Sequence, residues 1–304
     1  MVQKKLIYQV INDDCLNALK AFDDNSVDLY IADPPYWKVV GEKWDYQWRT
    51  EQDYIEWCIP WLKEIYRTLR YGGSFYLFGY FRTLAMLIGN LKEYGFDLRQ
   101  QIIINKGMRA VSGRATKNYR MFPNVTESIL FLTKDNIRYS RELLKSRQKE
   151  LNLTSKEINE ALGVKSNGGG MWSIYTGKNI CEQFPTRDLW ESLQKVLHFS
   201  FPYDSIAQTF NAELGVTDVW DDIDFYSEQR FHPTQKPIKL IARLILASSN
   251  PGDMVVDPFG GSGSTIIAAK RLKRSCRTIE YDSNYCKIIN NRLQDEEQSL
   301  FRDI

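Results

Sequence analysis

The residues best suited to chemistry fall in two short runs near opposite ends of the chain. The first, Asp33-Pro34-Pro35-Tyr36, follows the apolar run Val27–Ala32. An acid where a strand becomes a loop sits on the edge of an open α/β sheet at which ligands bind. The two prolines fix φ and carry no N–H, so the turn is stiff and its carbonyls stay available as acceptors. Asp33 and the Pro34 carbonyl can together accept both hydrogens of an exocyclic amine while the Tyr36 ring stacks on a planar base. A strand-ending turn with a buried tyrosine looks the same over four residues, so the second run has to decide.

That run is Asp257-Pro258-Phe259-Gly260-Gly261-Ser262-Gly263-Ser264-Thr265, behind a strand at Met254–Asp257 and opening a helix from Ile266 to Leu272. Its glycines let backbone approach a ligand, and Glu280, ending the next strand, can accept from ribose hydroxyls. Strand, glycine turn, helix and acid-ended strand make a nucleotide-binding unit. Too little chain follows Glu280 to finish a sheet, so the remaining strands are expected from the N-terminal part, ending near Asp14 and at Asp33.

The elements that must position these runs read as alternating strand and helix. Leu6–Ile11 is a strand turning into a helix with Leu16, Leu19 and Phe22 on one face. Trp37 to Gln52 reads as a mobile loop beside the site. A long helix runs from about Asp53 to Leu69 and is stopped by Arg70-Tyr71-Gly72-Gly73. Strands follow at Ser74–Gly79, Leu98–Asn105 and Glu127–Leu132, with a helix from Phe81 to Tyr94 among them. Between Arg141 and about Leu197 the texture becomes all-helical, as an inserted module would. There Thr154 reads as an N-cap and Gly163 as a tight turn, with a second helix at Met171–Gly177 and a supporting one at Leu189–Leu197. This resembles a repressor-like helix-turn-helix, with a longer turn through Gly168-Gly169-Gly170; a helical hairpin packed on the core is the alternative.

At 304 residues the chain can hold one catalytic core and an inserted module. Hydrophobic residues at 43% and charged residues at 26% are ordinary globular values. No apolar run approaches bilayer-spanning length, and Met1–Lys5 leads into no signal-peptide core, so a cytoplasmic protein with no membrane role is expected. Five dispersed cysteines, Cys15, Cys58, Cys181, Cys276 and Cys286, read as free thiols. His198 and His232 alone are too few for a zinc site or a histidine-based hydrolase centre, and no metal is expected. The net charge of +2 says little about a polyanionic partner, but from Arg99 to Lys149 basic residues outnumber acidic ones by twelve to three. Lys106, Arg109, Arg114, Lys117 and Arg120 share one acid-free stretch with Tyr119 and Phe122, which suits phosphate contact, a merely solvated loop being the bland alternative.

With both runs in hand, the sequence resembles the β group of S-adenosylmethionine-dependent DNA amino-methyltransferases, whose catalytic motif precedes the cofactor motif. Asp33-Pro34-Pro35-Tyr36 matches the family's DPPY, and Asp257 to Gly263 matches its FxGxG cofactor turn. His232-Pro233-Thr234-Gln235-Lys236-Pro237 is similar to the segment before that turn, Glu280 matches the ribose-binding acid, and Asp13-Asp14-Cys15 resembles the GDC element beside the cofactor adenine, with Asp13 replacing glycine. The resemblance covers all but the insertion.

It implies an α/β, Rossmann-like methyltransferase sheet with circularly permuted motif order and an inserted helical target-recognition module. Residues 1–134 would be the catalytic half, 135–230 the target-recognition region and 231–304 the cofactor half. The implied activity is methylation of the N6 amine of a flipped adenine in double-stranded DNA, with S-adenosyl-L-methionine as cofactor. Asp33, Pro34, Pro35 and Tyr36 would be catalytic. Asp14, Cys15, Asp33, Lys236, Pro237, Asp257, Phe259, Gly261, Ser262, Gly263, Ser264, Thr265 and Glu280 would bind cofactor. DNA contacts are assigned to the five basic loop residues and to Trp172. Cytosine N4 is the nearest alternative target, and Asp33 in place of the serine more common in cytosine enzymes favours adenine. Methylation of RNA or of a protein glutamine, and a DNA-binding regulator on an inactive scaffold, are the more distant readings. A cognate restriction endonuclease and a homodimer are left open.

Overall fold

The computed structural model describes residues 5–37, 46–111, 122–164, 170–177, 183–211 and 213–302. Its strands are β1 (Tyr8–Asn12), β2 (Val27–Ala32), β3 (Leu69–Gly79), β4 (Phe96–Asn105), β5 (Thr126–Lys134), β6 (Val219–Trp220), β7 (Met254–Asp257) and β8 (Ser275–Glu280), in one sheet of order β1-β8-β7-β2-β3-β5-β4-β6. Pairing is parallel from β1 across to β3, and β5 runs antiparallel to both β3 and β4. The start of β5 therefore shares an edge with the ends of β2, β3, β4 and β7. The C-terminal strands β7 and β8 lie between β1 and β2, as the permuted motif order requires.

Period-two burial explains the layers. Tyr30, Ala32, Phe75 and Leu77 pack with α1 (Cys15–Lys20), α2 (Glu51–Thr68) and α3 (Phe81–Glu93) on one face. After α4 (Asn136–Glu150), α5 (Ser155–Ala161), α6 (Gly170–Tyr175) and α7 (Arg187–Leu197), the chain returns through α8 (Ile238–Ser248), α9 (Ser264–Arg271) and α10 (Ser283–Arg302). Leu29, Ile31, Tyr76 and Phe78 meet Leu240, Leu244 and Ile267 of these last helices on the opposite face. Cys15, Cys58, Cys276 and Cys286 are buried free thiols, and Cys181 lies outside the described residues.

Three local expectations change. The long helix ends where expected, at Thr68, but the segment Arg70–Gly73 behind it is strand, since β3 begins at Leu69. Arg70 Nε donates to Asp28 Oδ1 at 2.6 Å and its Nη1 to the Ala207 carbonyl at 2.9 Å, which holds the segment as strand. The region Trp37–Gln52 is not simply a mobile loop, because Trp37 Nε1 donates to the Trp48 carbonyl at 3.0 Å, Trp48 is buried, and Thr50 caps α2 in a box with Asp53; residues 38–45 lie outside the described residues. The third change concerns the helical module.

Helices α4 to α7 close on their own core of Leu144, Ile158, Trp172, Trp190, Leu193, Leu197 and Ile206. Thr154 and Glu157 form the capping box that starts α5, and Asn159 Oδ1 accepts from the Trp172 backbone N–H at 3.0 Å, clipping α6 onto α5. Trp172 is only 2% exposed and its indole N–H donates to Gln148 Oε1. Its assignment to DNA contact is thereby corrected: it fills the module's core and has no surface to offer a groove. The turn through residues 165–169 lies outside the described residues.

Candidate active site

A cavity of about 570 Å³ opens at the strand ends beside β7 and β2, from which the chain connections run to opposite sides of the sheet. Sheets of this kind bind ligands at such a switch point, and the volume suits a nucleotide-sized molecule. Asp33, Pro34, Pro35 and Tyr36 line one side; Asp257, Phe259, Gly261 and Glu280 line the other. Residues from both ends of the chain thus line one cavity.

The catalytic side is a network of charges. Tyr36 Oη lies 2.7 Å from Asp33 Oδ1 and 2.5 Å from Glu127 Oε1. Lys236 Nζ donates to Asp33 Oδ2 at 2.7 Å and pairs with Glu127 Oε1 at 3.0 Å. Tyr54 Oη donates to the Pro35 carbonyl, while among the described residues no hydrogen bond reaches the Pro34 carbonyl. Burial raises the Asp33 carboxyl, and the Glu127 charge adds to this against the pull of Lys236. Burial alone would also raise Glu127, but the ammonium groups of Lys236 and Lys106 overturn that and hold it below the ordinary carboxylate value. Tyr36 is pushed well up by burial and by both carboxylates, so it stays a neutral donor. Lys236 is held charged because Asp33 and Glu127 outweigh its desolvation.

On the cofactor side, Glu280 Oε2 accepts from the Gly261 N–H at 2.8 Å and Oε1 from Asp282 N–H, which aims the carboxylate into the cavity mouth. Gly260 admits no side chain, since a Cβ would stand 2.2 Å from Thr278 Cγ2, and Gly261 takes the left-handed φ of +52°. Burial lifts Asp257 to about 7 despite hydrogen bonds from Thr265 and the Phe259 N–H. Asp13, Asp14, Asp257, Glu280 and Asp282 give the wall an acidic character, and Trp57, Phe259 and Ile279 supply apolar surface. A ligand with cationic groups and an aromatic base fits that lining.

Not every assigned residue faces the cavity in the same sense. Pro237 and Gly263 stand behind the wall as N-caps of α8 and α9. Ser262 Oγ donates to Gln235 Oε1 at 2.9 Å and Ser264 Oγ to the Lys236 carbonyl at 2.7 Å, so these hydroxyls fasten residues 235–236 to the glycine turn. Asp14 spends its Oδ1 capping α1 through Leu16 and Asn17, and Cys15 is a buried thiol raised to about 12 by burial; both border the cavity. Lys236, expected on the cofactor side, sits instead in the charge network of Asp33.

Sequence reasoning missed Glu127 as a site residue. It was visible as a single acid at the start of the apolar run Ser128–Leu132, and it is 3% exposed at the edge where β5 meets the ends of its neighbours. Of the basic stretch, Lys106 is corrected from phosphate contact: its Nζ lies 3.6 Å from Glu127 Oε2 and over the rings of Tyr80 and Phe225. Arg109 stays exposed, its guanidinium 6.0 Å from the Tyr226 ring, on which Arg230 also stacks at 4.9 Å. Arg114, Lys117 and Arg120 lie outside the described residues.

Sheet order, switch-point cavity and the two half-sites define a Rossmann-like methyltransferase. The chain belongs to the DNA methylase family, whose model matches residues 27–291, and it is a DNA methyltransferase. It is 28% identical over 290 residues to the DNA adenine methyltransferase YhdJ of Escherichia coli (strain K12), covering 93% of this chain and 82% of that one. It is 26% identical over 301 residues to the type II methyltransferase M.HinfI of Haemophilus influenzae, covering 94% and 68%. Among solved structures, Thermus thermophilus TTHA0409 in complex with S-adenosyl-L-methionine shares the fold with a TM-score of 0.57 at 21% identity, over 95% of this chain and 94% of that one. No helix of the described residues is long and apolar enough to cross a membrane.

Proposed function

We propose that the protein transfers a methyl group from S-adenosylmethionine to the N6 amine of an adenine turned out of double-stranded DNA. The observation that carries this reading is that Asp33 and Pro34 border the same cavity as the glycine turn and Glu280. The adenine specificity of the relative YhdJ, as its name gives it, supports the choice of base.

The cofactor supplies an electrophilic methyl carbon on a sulfonium. Glu280 holds the ribose hydroxyls, Gly261 presents backbone to the ligand, and the acidic wall favours the cationic groups. Asp33 and the Pro34 carbonyl accept the two amine hydrogens, which draws the nitrogen lone pair out of the ring and toward the methyl carbon. Tyr36 stacks on the base, offsetting part of the few kcal/mol that unstacking costs. Holding the reacting atoms in line supplies much of the rate.

Residues 1–134 and 231–304 contribute the two halves of this site, and residues 135–230 serve target recognition. Arg109, Arg114, Lys117 and Arg120 contact phosphates. Pairing with a restriction endonuclease and self-association rest on the family resemblance alone. Filter binding of DNA after incubation with methyl-labelled S-adenosylmethionine tests the reading: label retained on DNA supports it, and DNA binding with no label transferred would favour a regulator instead.

A further inference from the structure

Glu127 is an expensive residue to keep. A carboxylate 3% exposed in a strand costs several kcal/mol of desolvation unless it is paired and hydrogen-bonded. It is both: Lys106 lies 3.6 Å from its Oε2, and its two closer partners, Tyr36 and Lys236, both lead to Asp33. Tyr36 Oη touches both carboxylates, at 2.7 Å from Asp33 and 2.5 Å from Glu127, and Lys236 Nζ bridges the same pair at 2.7 and 3.0 Å. A phenol has one proton to give to two acceptors. The phenol oxygen thus links the two carboxylates, and an additional proton has a ready place among the three.

The reaction creates such a proton. As the amine nitrogen bonds to the methyl carbon, the carbon–sulfur bond breaks and its electron pair leaves with sulfur, so the nitrogen becomes positively charged. One N–H bond must then break, its pair returning to nitrogen and its proton passing to an acceptor. We propose that Glu127 is a positioning residue for this step: ionised, it fixes Tyr36 and Lys236 and supplies the negative charge that makes Asp33 the acceptor of the proton the amine sheds. This rests on the adenine-methylating reading above.

Two carboxylates whose surroundings drive them apart divide acid–base work between them. Burial and the Glu127 charge raise Asp33, whereas Lys236 and Lys106 keep Glu127 ionised. The other groups facing the pair are Tyr36 and Tyr80 from the loops after β2 and β3, Asp257 at the end of β7, and His232, which burial and the Lys236 charge keep neutral. None of them places a second negative charge on the far side of Tyr36, as Glu127 does.

Glu127→Gln keeps the shape and removes the charge; Glu127→Asp keeps the charge. In protein labelled with 13C at the aspartate carboxyls, the Asp33 resonance, assigned by its loss in Asp33→Asn, is expected to titrate at lower pH in Glu127→Gln than in wild type. The acid limb of the single-turnover methyl-transfer rate should move to lower pH with it, with the plateau falling roughly 10-fold or more. Calorimetry should find S-adenosylmethionine binding retained, and Glu127→Asp should keep the wild-type limb. An Asp33 titration and acid limb unmoved in Glu127→Gln, with cofactor binding intact, would overturn the proposal. If the wild-type protein methylated no adenine, the functional reading would fall, while the carboxyl titration would still decide what Glu127 does to Asp33.

Discussion

Lys236 Nζ lies 2.7 Å from Asp33 Oδ2, joining residues 203 positions apart in the chain. The contact ties the two half-sites together, because Lys236 is also fastened to the glycine turn through its own carbonyl and Ser264. Asp33 is thereby oriented before any substrate arrives, which is how a site reduces the reorganisation its reaction requires.

Replacing Asp33 removes the acceptor for the amine but no contact to the glycine turn. Asp33→Ala should lower the methyl-transfer rate by about 10²-fold or more while S-adenosylmethionine binding, followed by calorimetry, stays measurable. Near-wild-type turnover in this variant would end the role given to Asp33.

Gly261→Val should act on the opposite half. Its φ of +52° strains any branched residue, and the side chain would enter the cavity wall beside Glu280. Cofactor affinity is expected to fall at least 10-fold, with the protein still folded by circular dichroism. Unchanged affinity would contradict the turn's assignment.

Asp257 sets a pH dependence. Its carboxyl, raised by burial to about 7, is protonated below that value and ionised above it. A ligand with cationic groups is attracted only by the ionised form, so affinity for S-adenosylmethionine should increase as pH rises through about 7 and the dependence should flatten in Asp257→Asn. Calorimetry over a pH series reads both. A dependence of opposite sign, or one that persists in the variant, would assign the titration elsewhere.

How legible the site was depended on where its residues act. Asp33, Glu280 and the glycine turn stand at strand ends, where residue type alone reports chemistry, and the sheet formed around them as the permuted order required. Glu127 escaped notice, and Lys106 was read as a phosphate contact, because their meaning is a pairing between the end of β4 and the start of β5 that antiparallel register creates and no local pattern encodes. Trp172 misled for a related reason. On a short helix an aromatic residue suits a groove or a core equally, and the Asn159 clip that turns it inward is a contact 13 positions away.

That inward turn changes what mutation of the module should do. Trp172→Ala should cost roughly 3–5 kcal/mol through the cavity it leaves, seen as earlier, separate melting of the helical region by hydrogen exchange. Replacing Arg109, Arg114 and Lys117 with Ala should weaken binding to all DNA sequences and reduce the salt dependence by about one unit of slope for each phosphate no longer neutralised. An unaltered salt slope would remove the loop from the interface.

The central claim is that the amine held by Asp33 belongs to adenine. Duplex DNA of mixed sequence, incubated with the protein and S-adenosylmethionine and then digested to nucleosides, should yield N6-methyladenine by mass spectrometry and no N4-methylcytosine. N4-methylcytosine as the main product would contradict the account.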